Sequence, residues 1–314
     1  MPELPDINIY VEALSRRILN QRLIATRIKS PSLLRTFDPP IEAVHNKLVA
    51  SVSRLGKRIV IETQENLFLV IHLMIAGRLL WKPPGARPTG KIDLAAIEFE
   101  SGTLMLTEAS KQKRASLHIL RGRESLALLD PGGIDPMTCT ESEFIAALSR
   151  QNRTLKRALT DPAIFSGIGN AYSDEILNAA KLSPLKLTQS LSSEEQSQLH
   201  LATRIILSHW IVALLQEFGL DGNGPGRFPN AGEITAFRPE FRVRGKFSQP
   251  CPICKTRVQR IIRGDHETSY CPTCQTNGKI LADRSMSKLL GEDWPRTIDE
   301  WEEMETKAKP KGDA

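Results

Sequence analysis

Phe165-Ser166-Gly167-Ile168-Gly169-Asn170-Ala171-Tyr172-Ser173-Asp174-Glu175-Ile176-Leu177-Asn178 sets a Gly-x-Gly-Asn turn against the start of a helix. At such a junction the first backbone N–H groups lack intrahelical partners and face the turn at the positive end of the helix dipole, which favours a phosphate. A lone turn of this kind is weak evidence, so its meaning depends on what surrounds it. Upstream, Thr140-Glu141-Ser142-Glu143 precedes an apolar run and carries the signature of a helix N-terminus. The pattern predicts helices over residues 141–149, 153–160, 170–180 and 193–217, the last opened by Ser192-Ser193-Glu194-Glu195 and stopped by Gly219. Residues 219–232 are dense in turn formers and read as a mobile loop or linker.

Further upstream the period changes. Ile7, Val11, Leu14 and Ile18 form the stripe of an amphipathic helix, with Asp6 after Pro5 as its N-cap. Short β-branched runs follow at 24–28, 48–52, 58–62, 67–72, 92–99, 103–106 and 117–120, with Gly and Pro between them, as in an antiparallel sandwich or barrel. The fold class is therefore α+β and multidomain: one helix, a β-domain, a helical domain and a cysteine-bearing module, without internal repeats.

With 314 residues, 40% apolar and 25% charged, the chain can bury real cores and is not a disordered segment. No run approaches the roughly 18 to 20 uncharged apolar residues that span a bilayer, so no membrane partner is expected. Glu3, Asp6, Glu12, Arg16 and Arg17 occupy the start where a secretory signal would need an apolar core, which makes the cytoplasm the expected location. Residues 291–314 hold four basic and eight acidic side chains, so residues 1–290 carry +10 against +6 for the whole chain. A basic body favours a polyanionic partner, because each Lys or Arg that meets a phosphate releases counterions.

Four of the five cysteines fall in Cys251-Pro252-Ile253-Cys254 and Cys271-Pro272-Thr273-Cys274. That spacing predicts a tetrahedral four-thiolate zinc site at the tips of two knuckles. Two disulfides would conflict with the missing export signal, and a redox pair would need only one knuckle. Four thiolates leave no open position, so the zinc is structural, and no organic cofactor is expected. Between the knuckles, Arg257-Val258-Gln259-Arg260-Ile261-Ile262-Arg263-Gly264 reads as a hairpin strand with a basic face for phosphates, or alternatively as a solvated edge strand. Cys139 reads as a small buried hydrophobe. At the other end, Met1-Pro2-Glu3-Leu4-Pro5-Asp6 exposes a secondary amine at Pro2 once the initiator Met is removed. An α-amine titrates near 7.7 to 8, so a useful fraction is nucleophilic free base at neutral pH.

Together, Pro2-Glu3-Leu4-Pro5, Gly167-Ile168-Gly169-Asn170-Ala171-Tyr172 and the C-terminal four-cysteine finger closely resemble the formamidopyrimidine-DNA glycosylase and endonuclease VIII family of base-excision repair enzymes. The resemblance spans residues 1–276 and implies a β-sandwich, a helix–two-turn–helix region and a zinc finger in that order. Implied domains are 1–133 (catalytic), 134–232 (helical, DNA-binding), 233–277 (finger) and 278–314 (an extension packed back on the body, with a loose tail from Lys307). It implies that Pro2 is the nucleophile, Glu3 the general acid and Lys57, after Gly56, a phosphate contact at the active site. Asn170 is implied to hold lesion phosphates, with Lys156 a basic position just upstream. The implied partner is damaged double-stranded DNA, bound by a monomer, and the implied activity is base release followed by strand cleavage through a Schiff base.

Three stretches depart from the family pattern. Where the formamidopyrimidine branch has a finger arginine, counting back from Cys271 gives His266; His266 or Arg263 is expected to take the phosphate. The wedge that fills the void left by a flipped base falls on Met74 or Ile75 within His72-Leu73-Met74-Ile75-Ala76-Gly77. The loop that reads the opposite strand has become Glu108 to Ser116, in which Arg114 is the candidate intercalating side chain. A rival reading on the same scaffold is a damage-binding protein that is catalytically silent or retains only lyase activity.

Overall fold

The computed structural model describes residues 1–264, 266–282, 289–291 and 294–308. The chain divides into two compact units: Met1–Met137 with Leu207–Ala236, and Thr138–Ile206 with Phe237–Ala314.

In the first unit, helix α1 (Leu4–Ile18) starts two residues before the expected cap. Glu3 takes the cap position and its backbone N–H donates to Asp6 at 2.9 Å, so Asp6 serves the third position of the helix. Eight strands follow: β1 (Arg22–Ile28), β2 (Lys47–Leu55), β3 (Arg58–Thr63), β4 (Leu67–His72), β5 (Gly77–Lys82), β6 (Asp93–Phe99), β7 (Gly102–Glu108) and β8 (Ser116–Arg121). They run in the order β5-β7-β6-β1-β2-β3-β4-β8, with every pairing antiparallel. β1 and β2 share only Arg22↔Leu48 and Leu23↔Lys47, and each bulges beside that seam, between Leu23 and Ala25 and between Val49 and Ser51. Bulges bend a strand and raise its twist, which lets the sheet fold over. Ile59, Ile61, Leu69 and Ile71 from one half join Leu79, Ile97, Leu104 and Leu106 from the other in one core with Ile7, Tyr10, Leu14 and Ile18 of α1. This is the expected sandwich, made by one sheet bent at β1–β2. Strand β5 has no counterpart among the runs expected from sequence.

The second unit holds α2 (Glu141–Ser149), α3 (Leu155–Thr160), α4 (Asn170–Ala179) and the first part of α5 (Ser193–Glu217). Thr140 caps α2 as its sequence suggests: Glu143 N–H donates to Thr140 Oγ1 at 3.2 Å, and Thr140 N–H to the Glu143 carboxylate at 2.8 Å. The hairpin β9 (Gln259–Arg263) and β10 (His266–Tyr270) follows, then the short helix α6 (Pro272–Thr276) and, after the extension, α7 (Ile298–Ala308). In the extension, Ile280 N–H donates to Arg296 O at 2.8 Å, and Leu281 N–H donates to Tyr270 Oη at 2.8 Å, which ties its start to the finger hairpin. Leu289, however, is exposed, and Lys307 belongs to α7; the rest of the expected tail, 309–314, lies outside the described residues. Helix α5 is long and apolar enough to cross a membrane by composition, but Leu199, Ile206, Leu207, Trp210 and Leu214 are buried within the protein.

Residues 219–232 are not a loose linker, and the 134–232 domain does not hold together as one unit. Gly219, in the left-handed region at φ +62°, turns the chain out of α5. Arg16 then donates to the carbonyls of Leu220, Gly222 and Gly224, and Arg17 to those of Pro225 at 3.0 Å and Gly226 at 2.7 Å. Phe228 packs between Tyr10 at 5.8 Å and Trp81 at 6.1 Å. The segment is a strap fastened to α1, and it joins the sandwich unit. Phe228→Ala should destabilise that unit by about 3 kcal/mol through the cavity it leaves, read as an earlier unfolding midpoint in a denaturant titration followed by Trp fluorescence; an unmoved midpoint would mean the strap bears no packing energy.

Candidate active site

The first residues of the chain are packed, not frayed. Pro2 is buried and Glu3 is 4% exposed, both immediately before α1, whose Leu4 and Ile7 are in the core. Burial lowers the pKa of the Met1 amine below its ordinary 8.0; Glu3 and Asp6 oppose the shift, while Arg78 and Lys57 reinforce it. These four side chains therefore surround the chain's start within electrostatic reach, and two of them, Glu3 and Lys57, are residues singled out from sequence. Lys57 sits in the two-residue connection between β2 and β3, after Gly56 at φ +60°, as a hairpin turn with glycine at its first central position requires.

Arg78 was not foreseen. It sits second in β5 and fixes the preceding turn, donating from Nη1 to Gly77 O at 2.7 Å and Ile75 O at 3.2 Å, and from Nε to Ala231 O at 3.2 Å. Nothing in its local pattern marks it, because its partners are backbone carbonyls. The turn it holds contains both wedge candidates. Gly77 N–H donates to Leu73 O at 2.9 Å, and a Cβ on Gly77 would lie 2.2 Å from that oxygen, so only glycine closes the turn. Met74 adopts φ +52° and is half-buried, whereas Ile75 is 60% exposed at the tip. Next to Lys57 and Arg58, burial pushes the His72 imidazole down to about 4, so it is neutral at physiological pH.

The loop after β7 is held from within. The Glu108 carboxylate, 1% exposed, accepts from Arg114 N–H at 2.9 Å, Ala115 N–H at 3.0 Å and Ser110 Oγ at 3.1 Å. The Arg114 guanidinium is bonded to the Gln112 side chain.

In the second unit, all four of the remaining phosphate candidates line one cavity of about 510 Å³: Lys156, Asn170, Arg263 and His266, together with Arg157 and the hydroxyls of Thr154, Thr160 and Thr268. Asn170 opens α4 and its Nδ2 lies 3.2 Å from His266 Nδ1, across 96 positions of sequence. Lys156, the basic position expected beside Asn170 in the DNA-binding set, turns inward. It is 8% exposed, and its ammonium donates to Asn170 O at 2.7 Å, Ser173 Oγ at 2.8 Å and the Asp174 carboxylate. Burial pushes Asp174 up, and Lys156, Arg244 and the Ser269 N–H pull it back. A buried carboxylate of this kind needs its cations, which is why Lys156 turns inward.

The four knuckle sulfurs, Cys251, Cys254, Cys271 and Cys274, all lie within 4.8 Å of one another. The backbone closes the first knuckle through Lys255 N–H to Cys251 O at 2.9 Å and Cys251 N–H to Thr256 O at 2.8 Å. Burial pushes the Cys271 and Cys274 thiols up, the latter to about 11, whereas, against burial, hydrogen bonds at Thr256 hold Cys254 down at about 6; a bound cation favours the thiolate at all four. Cys139 is 6% exposed and stands apart, as expected.

Comparison with known proteins matches three domains. The formamidopyrimidine-DNA glycosylase N-terminal domain matches residues 1–114, the formamidopyrimidine-DNA glycosylase H2TH domain 133–214, and the zinc finger found in FPG and IleRS 248–277. The chain is 27% identical over 279 residues to a formamidopyrimidine-DNA glycosylase of Chloroflexus aggregans, covering 88% of this chain and 98% of that one. It is 37% identical over 158 residues to an uncharacterized formamidopyrimidine-DNA glycosylase-like protein of Mycobacterium tuberculosis, 50% of this chain and 93% of that protein. Among solved structures, Lactococcus lactis Fpg in complex with abasic-site DNA matches with a TM-score of 0.75 and 25% identity over 87% of this chain and 99% of that one. The same protein with DNA containing an oxidised pyrimidine matches with a TM-score of 0.75 and 26% identity, over 88% and 100%.

The matched finger domain and the sulfur cluster identify one structural zinc ion, held by Cys251, Cys254, Cys271 and Cys274. Chelation should release one zinc per chain, measured by a colorimetric zinc assay, and abolish DNA binding as the module unfolds. DNA affinity that survives complete zinc loss would remove the finger from the binding surface.

Proposed function

The chain belongs to the formamidopyrimidine-DNA glycosylase and endonuclease VIII family of base-excision repair glycosylases, and we propose that it releases oxidised or ring-opened bases from double-stranded DNA and then cuts the abasic strand through a Schiff base on Pro2. The observation that carries this reading is the buried chain start, where Pro2 and Glu3 are packed before α1 with Lys57 and Arg78 within electrostatic reach of the terminus.

The chemistry follows from that environment. After Met1 is removed, the free-base nitrogen of Pro2 attacks C1′ of a nucleotide flipped out of the duplex. Flipping is required because C1′ is hidden in stacked DNA, and a damaged base costs less to extrude. The bond from C1′ to the base breaks with its electrons going to the base, which takes up the proton shed by the Pro2 nitrogen as it becomes bonded to C1′. Glu3 then protonates O4′ as the sugar ring opens, giving an iminium at C1′. Loss of a C2′ proton expels the 3′ phosphate, and water releases Pro2. Lys57 holds a phosphate of the same nucleotide. Ile75, exposed at the tip of its glycine-closed turn, fills the vacated stack, and Arg114 approaches the opposite strand. Asn170 and Arg263 hold phosphates of the damaged strand. Abasic sites and oxidised pyrimidines in the DNA of the Lactococcus lactis complexes mark the lesion classes to try first.

Borohydride should trap a covalent adduct on duplexes carrying an oxidised purine, an oxidised pyrimidine or an abasic site, and none on undamaged DNA. An uncleaved N-terminal tag, which turns the Pro2 nitrogen into an amide, should abolish every adduct. Glu3→Gln should slow base release about 100-fold or more while abasic-duplex affinity persists. Lesion binding without any adduct would instead favour the catalytically silent reading.

The sign of the pH dependence follows from the amine. Only its free base attacks, so the trapping rate rises with pH through the pKa of the Pro2 nitrogen, and the burial and cations that lower the Met1 amine act on it in the same direction. Arg78→Gln removes a cation that lowers this pKa, so the midpoint should move up, whereas Arg78→Lys should leave it in place. Single-turnover trapping across a pH series checks both, and a midpoint unmoved by Arg78→Gln would contradict the assignment.

A further inference from the structure

Positive charge in the cavity of the second unit is unevenly available. Lys156 and Arg157 are adjacent, so on helix α3 they point about 100° apart. Lys156 turns inward, where its ammonium is held by Asp174, Ser173 Oγ and Asn170 O. With a fully buried carboxylate against it, Lys156 adds little field towards the opening. His266 is bonded through Nδ1 to Asn170, which leaves only Nε2 for an incoming anion. Arg157, one residue along, is exposed, and Arg263 lines the same cavity from β9 beside its cross-strand partner His266. Among the described residues neither guanidinium is ion-paired, and no carboxylate lines the cavity. Thr154, Thr160 and Thr268 supply hydroxyls around it.

We propose that Arg157 is the principal phosphate-binding cation of this cavity, sharing it with Arg263, so that the grip on the DNA backbone comes from helix α3 and not from His266 at the tip of the finger hairpin. The chemistry of the lining selects a phosphodiester: two planar guanidiniums offer forked N–H donors to paired oxygens, and hydroxyls and an amide fill the remaining directions. Lys156 acts as a positioning residue, holding Asn170 and Asp174 in place. The inference rests on the reading of the chain as a DNA glycosylase.

The test uses the full zinc-loaded protein and a duplex carrying a tetrahydrofuran abasic analogue, with affinity measured by fluorescence anisotropy between about 50 and 200 mM salt. Arg157→Ala should weaken binding at least about tenfold and flatten the slope of log affinity against log salt by about 0.9. Arg157→Lys should keep the slope but recover only part of the affinity, because an ammonium lacks the fork. Zinc content and thermal midpoint should stay at wild-type values in both, since the side chain is exposed. An Arg157→Ala protein with unchanged slope and affinity overturns the proposal, as does a His266→Ala protein that loses the full salt effect while Arg157→Ala does not. The two readings fail separately. Wild-type protein that gives no borohydride adduct but shows the Arg157 effect would sink the lyase chemistry alone; normal trapping without the salt effect would sink the Arg157 assignment alone.

Discussion

Burial of the chain's first residues is the constraint on which the sandwich unit depends. A terminal amine is ordinarily the most mobile group of a protein, and no rigid scaffold can aim it unless the residues beside it are packed. Here α1 begins at Leu4, and Leu4, Ile7, Tyr10 and Leu14 are 0% exposed. Tyr10 Oη also accepts from Leu79 N–H at 3.3 Å, so the helix is tied to β5, the strand that leads out of the Met74–Ile75 turn. Arg16 and Arg17, on the last turn of the same helix, hold the strap after α5. One packed helix thus sets where the amine sits and what surrounds it. The same burial disfavours the charged form of the Met1 amine, so position and protonation at the chain's start have a common physical origin.

The second unit has a polar counterpart to that apolar anchor. Asp174 accepts from Lys156 of α3, from Arg244 at 3.3 Å and from Ser269 N–H of β10 at 3.1 Å. Its neighbour Glu175 accepts the backbone N–H groups of Arg242 at 2.8 Å and of Val243 and Arg244 at 2.9 Å each. Two adjacent acids on one helix therefore collect α3, the segment before the finger, and the finger hairpin around α4. Desolvating two carboxylates is costly, and removing one partner of such a group typically costs about 3–5 kcal/mol, so the arrangement tolerates few alternatives. Asn178, one turn further along α4, donates to Gln275 at 3.1 Å, and Gln275 accepts Cys271 N–H at 2.9 Å, which carries the docking into the second zinc knuckle. The zinc shapes the finger internally, and α4 fixes where its hairpin tip, with His266, meets Asn170.

Much of this was legible in the chain itself, because the signals were local. The boxes at Thr140 and Ser192 close as their sequences suggest, with Glu195 N–H donating to Ser192 Oγ at 3.2 Å. The cysteine spacing places four sulfurs together, and the β-branched runs become strands. Strand β5 escaped because Leu79, Leu80 and Trp81 are consecutive and show no alternation, its partner β7 being more than twenty residues away. The strap escaped for a similar reason. Gly222, Gly224, Pro225 and Gly226 look like solvated loop, and the donors that satisfy their carbonyls lie some two hundred residues earlier on α1. Lys156 and Arg157 are indistinguishable as neighbouring cations until Asp174, eighteen positions on from Lys156, takes one of them. Local pattern reveals elements, caps and metal ligands; it does not reveal which of two charges a buried partner will claim.

The departures from the family pattern fall where the scaffold is indifferent to them. Ile75 stands at the exposed tip of a turn whose closure needs Gly77 and Arg78, not the side chain at the tip. The loop from Glu108 to Ser116 is held by the Glu108 carboxylate through the backbone N–H groups of Arg114 and Ala115, bonds that do not depend on the Arg114 side chain. His266 sits on β10 beside the hairpin turn, where register with Arg263 is maintained by main-chain pairing. In each case bonds to the backbone fix the geometry without using the outward side chain. Pro2 and Glu3 have no such freedom, because both are buried against the structure that positions them. On the proposed function, variation is therefore confined to the groups that choose among lesions and grip phosphates, while the groups that make and break bonds are locked into the core.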